Sequence, residues 1–225
     1  MFKYISLFTL FALTSFSARA QFFDADINLL VGVPQGEFRD NLDTISFGIN
    51  GSAAYNVPKS PVSVGLELGV MTYGTDSRKE NFNPNIPEVK VEVNTSYDIF
   101  TAHSFVRLEG RSGTVRPYID GLFGLNYLFT ETRIQDQDSY ETIASNTNFD
   151  DTALSYGLGG GLKFKVGQSE DYEYLINVKG RYLLGSEADY LQKGSLEVID
   201  GELYFDESTS RTDLLTIHVG LSIKF

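Results

Sequence analysis

Two histidines, His103 and His218, are the only imidazoles in a chain of 225 residues that has no cysteine. Neither has a second histidine or a thiol at metal-ligand spacing, so the sequence offers no metal set and no thiolate nucleophile. The chemistry that remains is carboxylate, ammonium and guanidinium. Asp24, Asp26, Glu67, Arg107, Asp120, Lys163, Lys165, Lys179, Arg181 and Lys224 all lie between apolar residues or glycines in alternating stretches. In an extended chain that spacing turns charge to one face and hydrocarbon to the other. Charges held away from water must pair. The pattern therefore predicts an ion-pair network filling a narrow interior, with a gate or polar pore as the second use of the same groups. It assigns no catalytic residue, cofactor or metal.

The elements that carry these groups are strands. Leu215 to Phe225 reads Leu-Thr-Ile-His-Val-Gly-Leu-Ser-Ile-Lys-Phe, strict alternation at a length that suits a tilted bilayer-crossing strand of about 9–11 residues. Ala25 to Val33 alternates against Asp24, Asp26 and Asn28, and Ile45 to Val57 against Ser46, Asn50, Ser52 and Asn56. Similar stretches follow at 62–70, 91–108, 118–129, 154–166 and 174–184, making eight strands. The fourth changes phase, with Val91, Val93, Thr95 and Tyr97 in one register and Phe100, Ala102, Ser104, Val106 and Leu108 in the other. A β-bulge near Asp98 would reconcile them.

Short turns are expected at 58–61, 109–114 and 167–173, and longer loops at 34–43, 74–90, 131–152 and 185–213, in regular alternation. Within the last, Asp200-Gly201 lies between two apolar runs and predicts a two-residue hairpin, read as a β-ribbon standing above the membrane. The fold class is all-β, an eight-stranded antiparallel up-and-down transmembrane barrel with that ribbon in its last external loop.

A soluble, lipocalin-like carrier would also alternate, with its apolar face inward. The apolar faces here are bulky and nearly free of charge, as lipid contact requires. Outward aromatics collect toward strand ends, with Phe47, Tyr127, Phe129, Tyr156 and Tyr182 at one rim and Tyr55, Phe164 and Phe225 at the other. The polar faces are rich in Gly, Ser and Asn, which suits a cramped lumen. Met1 to Ala20 reads as an export signal, with Lys3, an apolar run and Ala18-Arg19-Ala20 before Gln21. Residues 21–225 then form a single barrel domain. The net charge of −12 becomes −14 once Lys3 and Arg19 are removed, which argues against nucleic acid as a partner.

Arg116-Pro117-Tyr118-Ile119-Asp120-Gly121 with Gly124-Leu125-Asn126-Tyr127, the Gly32-Val33-Pro34-Gln35-Gly36 strand exit and the terminal Phe225 resemble the small outer-membrane β-barrel domain proteins of Gram-negative bacteria. The resemblance spans residues 21–225 and implies architecture, a bacterial outer-membrane location and periplasmic termini. It also implies that Phe225 is the signal read by the barrel-assembly machinery. No single activity comes with it. Barrel enzymes of similar size place a histidine at the outer rim, and no loop here contains one. The expected role is non-enzymatic, in envelope structure or surface interaction. A narrow channel or binding site for a small, even hydrophobic, solute is the alternative, followed by the soluble carrier and a rim enzyme.

The four long loops hold 20 acidic and 7 basic residues, nearly all of the net charge. Such a rim is a solvated surface first. It could also bind lipopolysaccharide phosphates through divalent cations, or a basic extracellular partner. Asp136-Gln137-Asp138 begins like a calcium loop but lacks the Asp/Asn-Gly that should follow.

Overall fold

The computed structural model describes residues 22–83, 86–136, 142–199 and 202–225. Eight strands form the barrel: β1 (Phe23–Pro34), β2 (Ser46–Asn56), β3 (Val62–Asn83), β4 (Ile86–Glu109), β5 (Val115–Asp136), β6 (Thr142–Gln168), β7 (Glu173–Gly185) and β10 (Leu214–Lys224). Between β7 and β10, β8 (Glu187–Ile199) and β9 (Glu202–Arg211) pair as a separate ribbon. A short helix, α1 (Glu37–Asn41), follows β1. The ring is closed by β1 against β10, paired without a break from Asp24↔Lys224 to Pro34↔Leu214.

The ladder also fixes the stagger. Following partners around the wall leads from Asp24 through Ala54, Gly65, Phe105, Leu122, Gly157, Leu183 and Leu214 to Pro34, ten residues further along β1. Eight strands with a stagger of ten tilt by about 40° from the axis, and their interior is just wide enough for side chains to fill. A straight ring of neighbours is therefore a rising spiral, and residues far apart in the ladder share a level in the bore.

Two expected loops are strand. β3 and β4 pair up to Asn83↔Ile86, and β5 and β6 up to Gln135↔Thr142, so the described residues of 74–90 and 131–152 are hairpin extensions that rise past the rim. Their polar alternation lacks the contrast that marks a lipid-facing strand, which is why they read as loops. The bulge expected in the fourth strand lies on its neighbour: the β3–β4 register shifts between Thr72 and Gly74, leaving Tyr73 extra, while β4 keeps one phase throughout. Val91, Val93, Thr95 and Tyr97 are buried on the same inward phase as Ile99 and Thr101. Their side chains turn inward, not toward lipid, and Tyr97 packs with the ribbon residues Ala188, Tyr190 and Leu191.

The short turns fall at one end. Lys59 in the first has φ 59°, a left-handed conformation, between Pro58 and Pro61. Arg111 in the second donates to the carbonyls of Val57 (2.9 Å) and Val62 (2.7 Å) and ties the first two turns together. Asp200 and Gly201, the expected hairpin turn, lie outside the described residues, but the ribbon pairs to Ile199↔Glu202 on either side of them. It does not stand free. It folds over the mouth of the barrel, where α1 meets it.

Candidate functional site: the bore and its cap

Charge fills the lower bore. Arg107 grips Asp120 with two parallel bonds, Nε to Oδ1 at 2.7 Å and Nη2 to Oδ2 at 3.0 Å, and its Nη1 lies 3.5 Å from Asp26. Lys163 donates to Asp24 (2.9 Å) and stands 3.5 Å from both Asp26 and Glu109. Lys224 closes this level, 3.8 Å from Asp24 and from Glu109. Higher up, Arg181 bridges Asp120 (3.3 Å) and Glu67, and Lys179 also donates to Glu67 (2.7 Å).

Five carboxylates (Asp24, Asp26, Glu67, Glu109, Asp120) thus meet five cations (Arg107, Lys163, Lys179, Arg181, Lys224) in one neutral network. A bidentate guanidinium–carboxylate pair is the strongest such contact available to a side chain.

Nine of the ten charges singled out in the sequence lie in this network. Lys165 lies apart, 2.8 Å from Glu173 at the short-turn rim, and Glu173 also receives Arg116 at 2.8 Å. Glu109, Arg116 and Glu173 were not foreseen. Glu109 could have been: it continues the inward phase of Arg107 two positions on. Glu173 could not, because it reaches Arg116 across β6.

Glycines make room for the large groups. A Cβ at Gly161 would stand 2.6 Å from the Tyr118 ring, and one at Gly159 would collide with Arg181. The Gly159–Gly161 run therefore lets the Tyr118 ring lie 4.0 Å from the Arg107 guanidinium while its hydroxyl donates to Asn177 (2.7 Å).

Above the charges the bore is polar, then apolar. Asn28 links Asn50 (3.0 Å) and Asn177 (3.2 Å). His103 Nε2 is 2.9 Å from Ser155 Oγ, and His218 Nε2 is 2.9 Å from Thr216 Oγ1. His103 with Ser155 has the chemical form of a base and a nucleophile. Both are buried.

The cap packs Phe38 of α1, Leu42 just after it, and Ala188, Tyr190 and Leu191 from the ribbon onto Leu30, Met71, Tyr73, Tyr97, Ile99, Leu128 and Leu214 of the wall. Phe38 meets Tyr190 edge-on, with centroids 5.1 Å apart. The Tyr190 hydroxyl bonds Asn41 (3.1 Å) and Ser210 (2.8 Å), and Tyr73 donates to the Leu191 carbonyl (3.0 Å). At the foot of the ribbon, Asp213 takes Gly185 N–H on its side chain and Gln35 N–H on its carbonyl, both at 2.9 Å.

The outer wall is the reverse of the bore. Leu158 is 73% exposed, Leu29 70% and Leu66 66%, within a band that includes Ile27, Phe47, Ile119, Phe123, Val219 and Leu221 and carries no charge. A continuous apolar belt of this size around a charged interior is a lipid-facing surface. This is a barrel of the outer-membrane kind. Its short turns lie at one end and its long hairpins, α1 and ribbon at the other. At the long-hairpin end Arg133 bonds Glu131 (2.7 and 3.1 Å) and holds its carboxyl below the usual carboxylate range.

Among solved structures, the chain resembles Neisserial surface protein A at 9% identity and a TM-score of 0.48, covering 90% of this chain and 97% of that one. It is similar to a major outer membrane protein of Thermus thermophilus at 14% identity and 0.44, with coverages of 90% and 99%. For the outer membrane protein OprG of Pseudomonas aeruginosa the figures are 13% and 0.42, with 92% and 97% covered. No family model matches the sequence, and no curated protein does.

Proposed function

We propose that this barrel is a non-enzymatic component of the outer membrane, with a bore closed by its own side chains and an external face that meets partners. The observation that carries the reading is the doubly sealed interior: a neutral ion-pair network below and an apolar cap above. A gate needs an unfilled path, and an eight-stranded wall leaves little room for one. Purified protein reconstituted in planar bilayers should show no discrete openings. Appreciable single-channel conductance would overturn the closed bore and favour the narrow-channel alternative.

Residues 1–20 act as an export signal, and Phe225 as the mark read by the assembly machinery. Expression of the full chain should yield an outer-membrane product whose mass starts at Gln21, in an amount that falls when Phe225 is deleted. A product retaining Met1, or unchanged yield without Phe225, would count against these roles. The partners this reading implies are membrane lipid, lipopolysaccharide phosphates bridged to loop acids by divalent cations, and a basic extracellular molecule.

A further inference from the structure

β8 and β9 pair with each other and, among the described residues, with no strand of the barrel. A lone two-stranded ribbon is marginal in water, so what it leans on decides where it stays. One face leans on the apolar cap. The backbone is held in a second way, by three carboxylates from three separate elements, each taking one amide N–H. Asp151 of β6 takes Asp189 on the β8 side at 2.8 Å. Asp76 of β3 takes Gly194 at 3.1 Å, where the ribbon ladder is interrupted between Leu191 and Leu196. Glu37 of α1 takes Arg211 on the β9 side at 3.3 Å.

A ribbon edge leaves alternate amides without a strand partner, and an ionised carboxylate is the strongest acceptor a side chain can offer them. All three amides belong to exposed or half-buried residues. Water can replace the carboxylate there, so these bonds break and re-form far more easily than a buried ladder does.

The legs of the ribbon are short. One residue, Ser186, separates β7 from β8, and two, Thr212 and Asp213, separate β9 from β10. Gly185 lets the legs lie side by side, since a Cβ there would stand 2.6 Å from the Thr212 carbonyl oxygen. Thr212 donates to the Ser186 carbonyl through its N–H (3.2 Å) and its hydroxyl (3.1 Å), and Asp213 takes the Gly185 N–H. Ser186 also exchanges two bonds of 2.9 Å with the backbone of Leu154 on β6. The legs are thus tied to each other and anchored to the wall at one point, which is the form of a hinge.

We propose that the β8–β9 ribbon is a hinged lid: it pivots as one piece on Ser186 and Thr212–Asp213, and the carboxylates of Glu37, Asp76 and Asp151 latch it shut over the mouth. Lifting it bares the apolar mouth around Met71, Tyr73 and Ile99, while the ion pairs below still fill the bore. Opening also breaks the Tyr73–Leu191 and Tyr190–Asn41 bonds, so the closed form dominates. The lid goes beyond the closed-bore reading, which holds whether the ribbon is up or down.

The chain has no cysteine, so one introduced thiol reports one place. Ala188→Cys puts it on the buried face of the ribbon, at a position 3% exposed when the lid is shut. In the full mature protein in lipid nanodiscs, its rate of reaction with a maleimide measures how often the lid lifts. Asp76→Ala with Asp151→Ala should raise that rate at least about tenfold. Asp76→Asn with Asp151→Asn keeps an oxygen acceptor without the charge and should raise it less; it carries the same comparison if the alanine pair fails to fold. Hydrogen exchange separates a lid from a fraying ribbon: ladder amides around Leu191↔Glu207 should keep their protection while the thiol reacts faster. An unchanged thiol rate would overturn the latches. A faster thiol with ladder protection lost by the same factor would overturn the pivot, because the ribbon would then unravel. The closed bore is tested separately, by conductance.

Discussion

Arg107→Ala should destabilise the barrel by roughly 3–5 kcal/mol, the usual cost of removing one partner from a buried ion pair. The loss comes less from the vanished attraction than from what stays behind. As cations, Asp120 would keep Arg181 at 3.3 Å and Asp26 would keep Lys163 at 3.5 Å, with the Ser52 hydroxyl at 3.1 Å, both carboxylates still out of water. Arg107→Lys should cost less, about 1–2 kcal/mol, because it keeps the charge but not the two-pronged bond or the flat face against Tyr118. Urea unfolding from lipid vesicles reads both. A loss below about 0.5 kcal/mol for the alanine variant would mean that water screens the bore as it screens a surface pair. The ordering matters as much as the size, since a simple cavity would not separate alanine from lysine in this way.

Phe38→Ala should cost a comparable 3–5 kcal/mol of packing, the range for deleting a buried aromatic ring, but in a different place. Phe38 is 1% exposed and touches Tyr190, so its removal undercuts the ribbon rather than the wall. The expected signature is local: faster hydrogen exchange and easier cleavage at Lys193 and Arg211, with an almost unchanged barrel unfolding transition. The bilayer should stay electrically silent, because the ion pairs beneath the cap are untouched. Openings in this variant would show that the cap alone closes the bore.

The wall was largely legible from the sequence because a lipid-facing residue has one requirement, to be apolar, and alternation displays it directly. Ile27, Leu66, Leu158 and Leu221 point outward as their phase requires. The inward charges were legible as a set for the same reason. Their pairing was not: Asp24 meets Lys163 because of a stagger of ten that no single strand records. The cap was the least legible part. Val91 and Val93 carry the hydrophobicity of a membrane strand, yet both are buried on the inward face of the β4 extension, and a five-residue helix leaves too short a period to detect. The hairpin extensions escaped notice because polar residues on both faces look the same whether paired or free.

The network joins the first strand to the sixth and the last, through Lys163 and Lys224 on Asp24, and the third to the seventh through Glu67. Within the network only the Arg107–Asp120 pair forms inside one hairpin; Asp24 and Glu67 meet their cations only across the ring. A half-built sheet slipping sideways into hydrocarbon would carry bare ions with it, at several kcal/mol apiece. Only the finished cylinder hides them, so the electrostatics of the bore act as a proofreading step on completion, holding an unfinished barrel back from the bilayer until its last strand is in place.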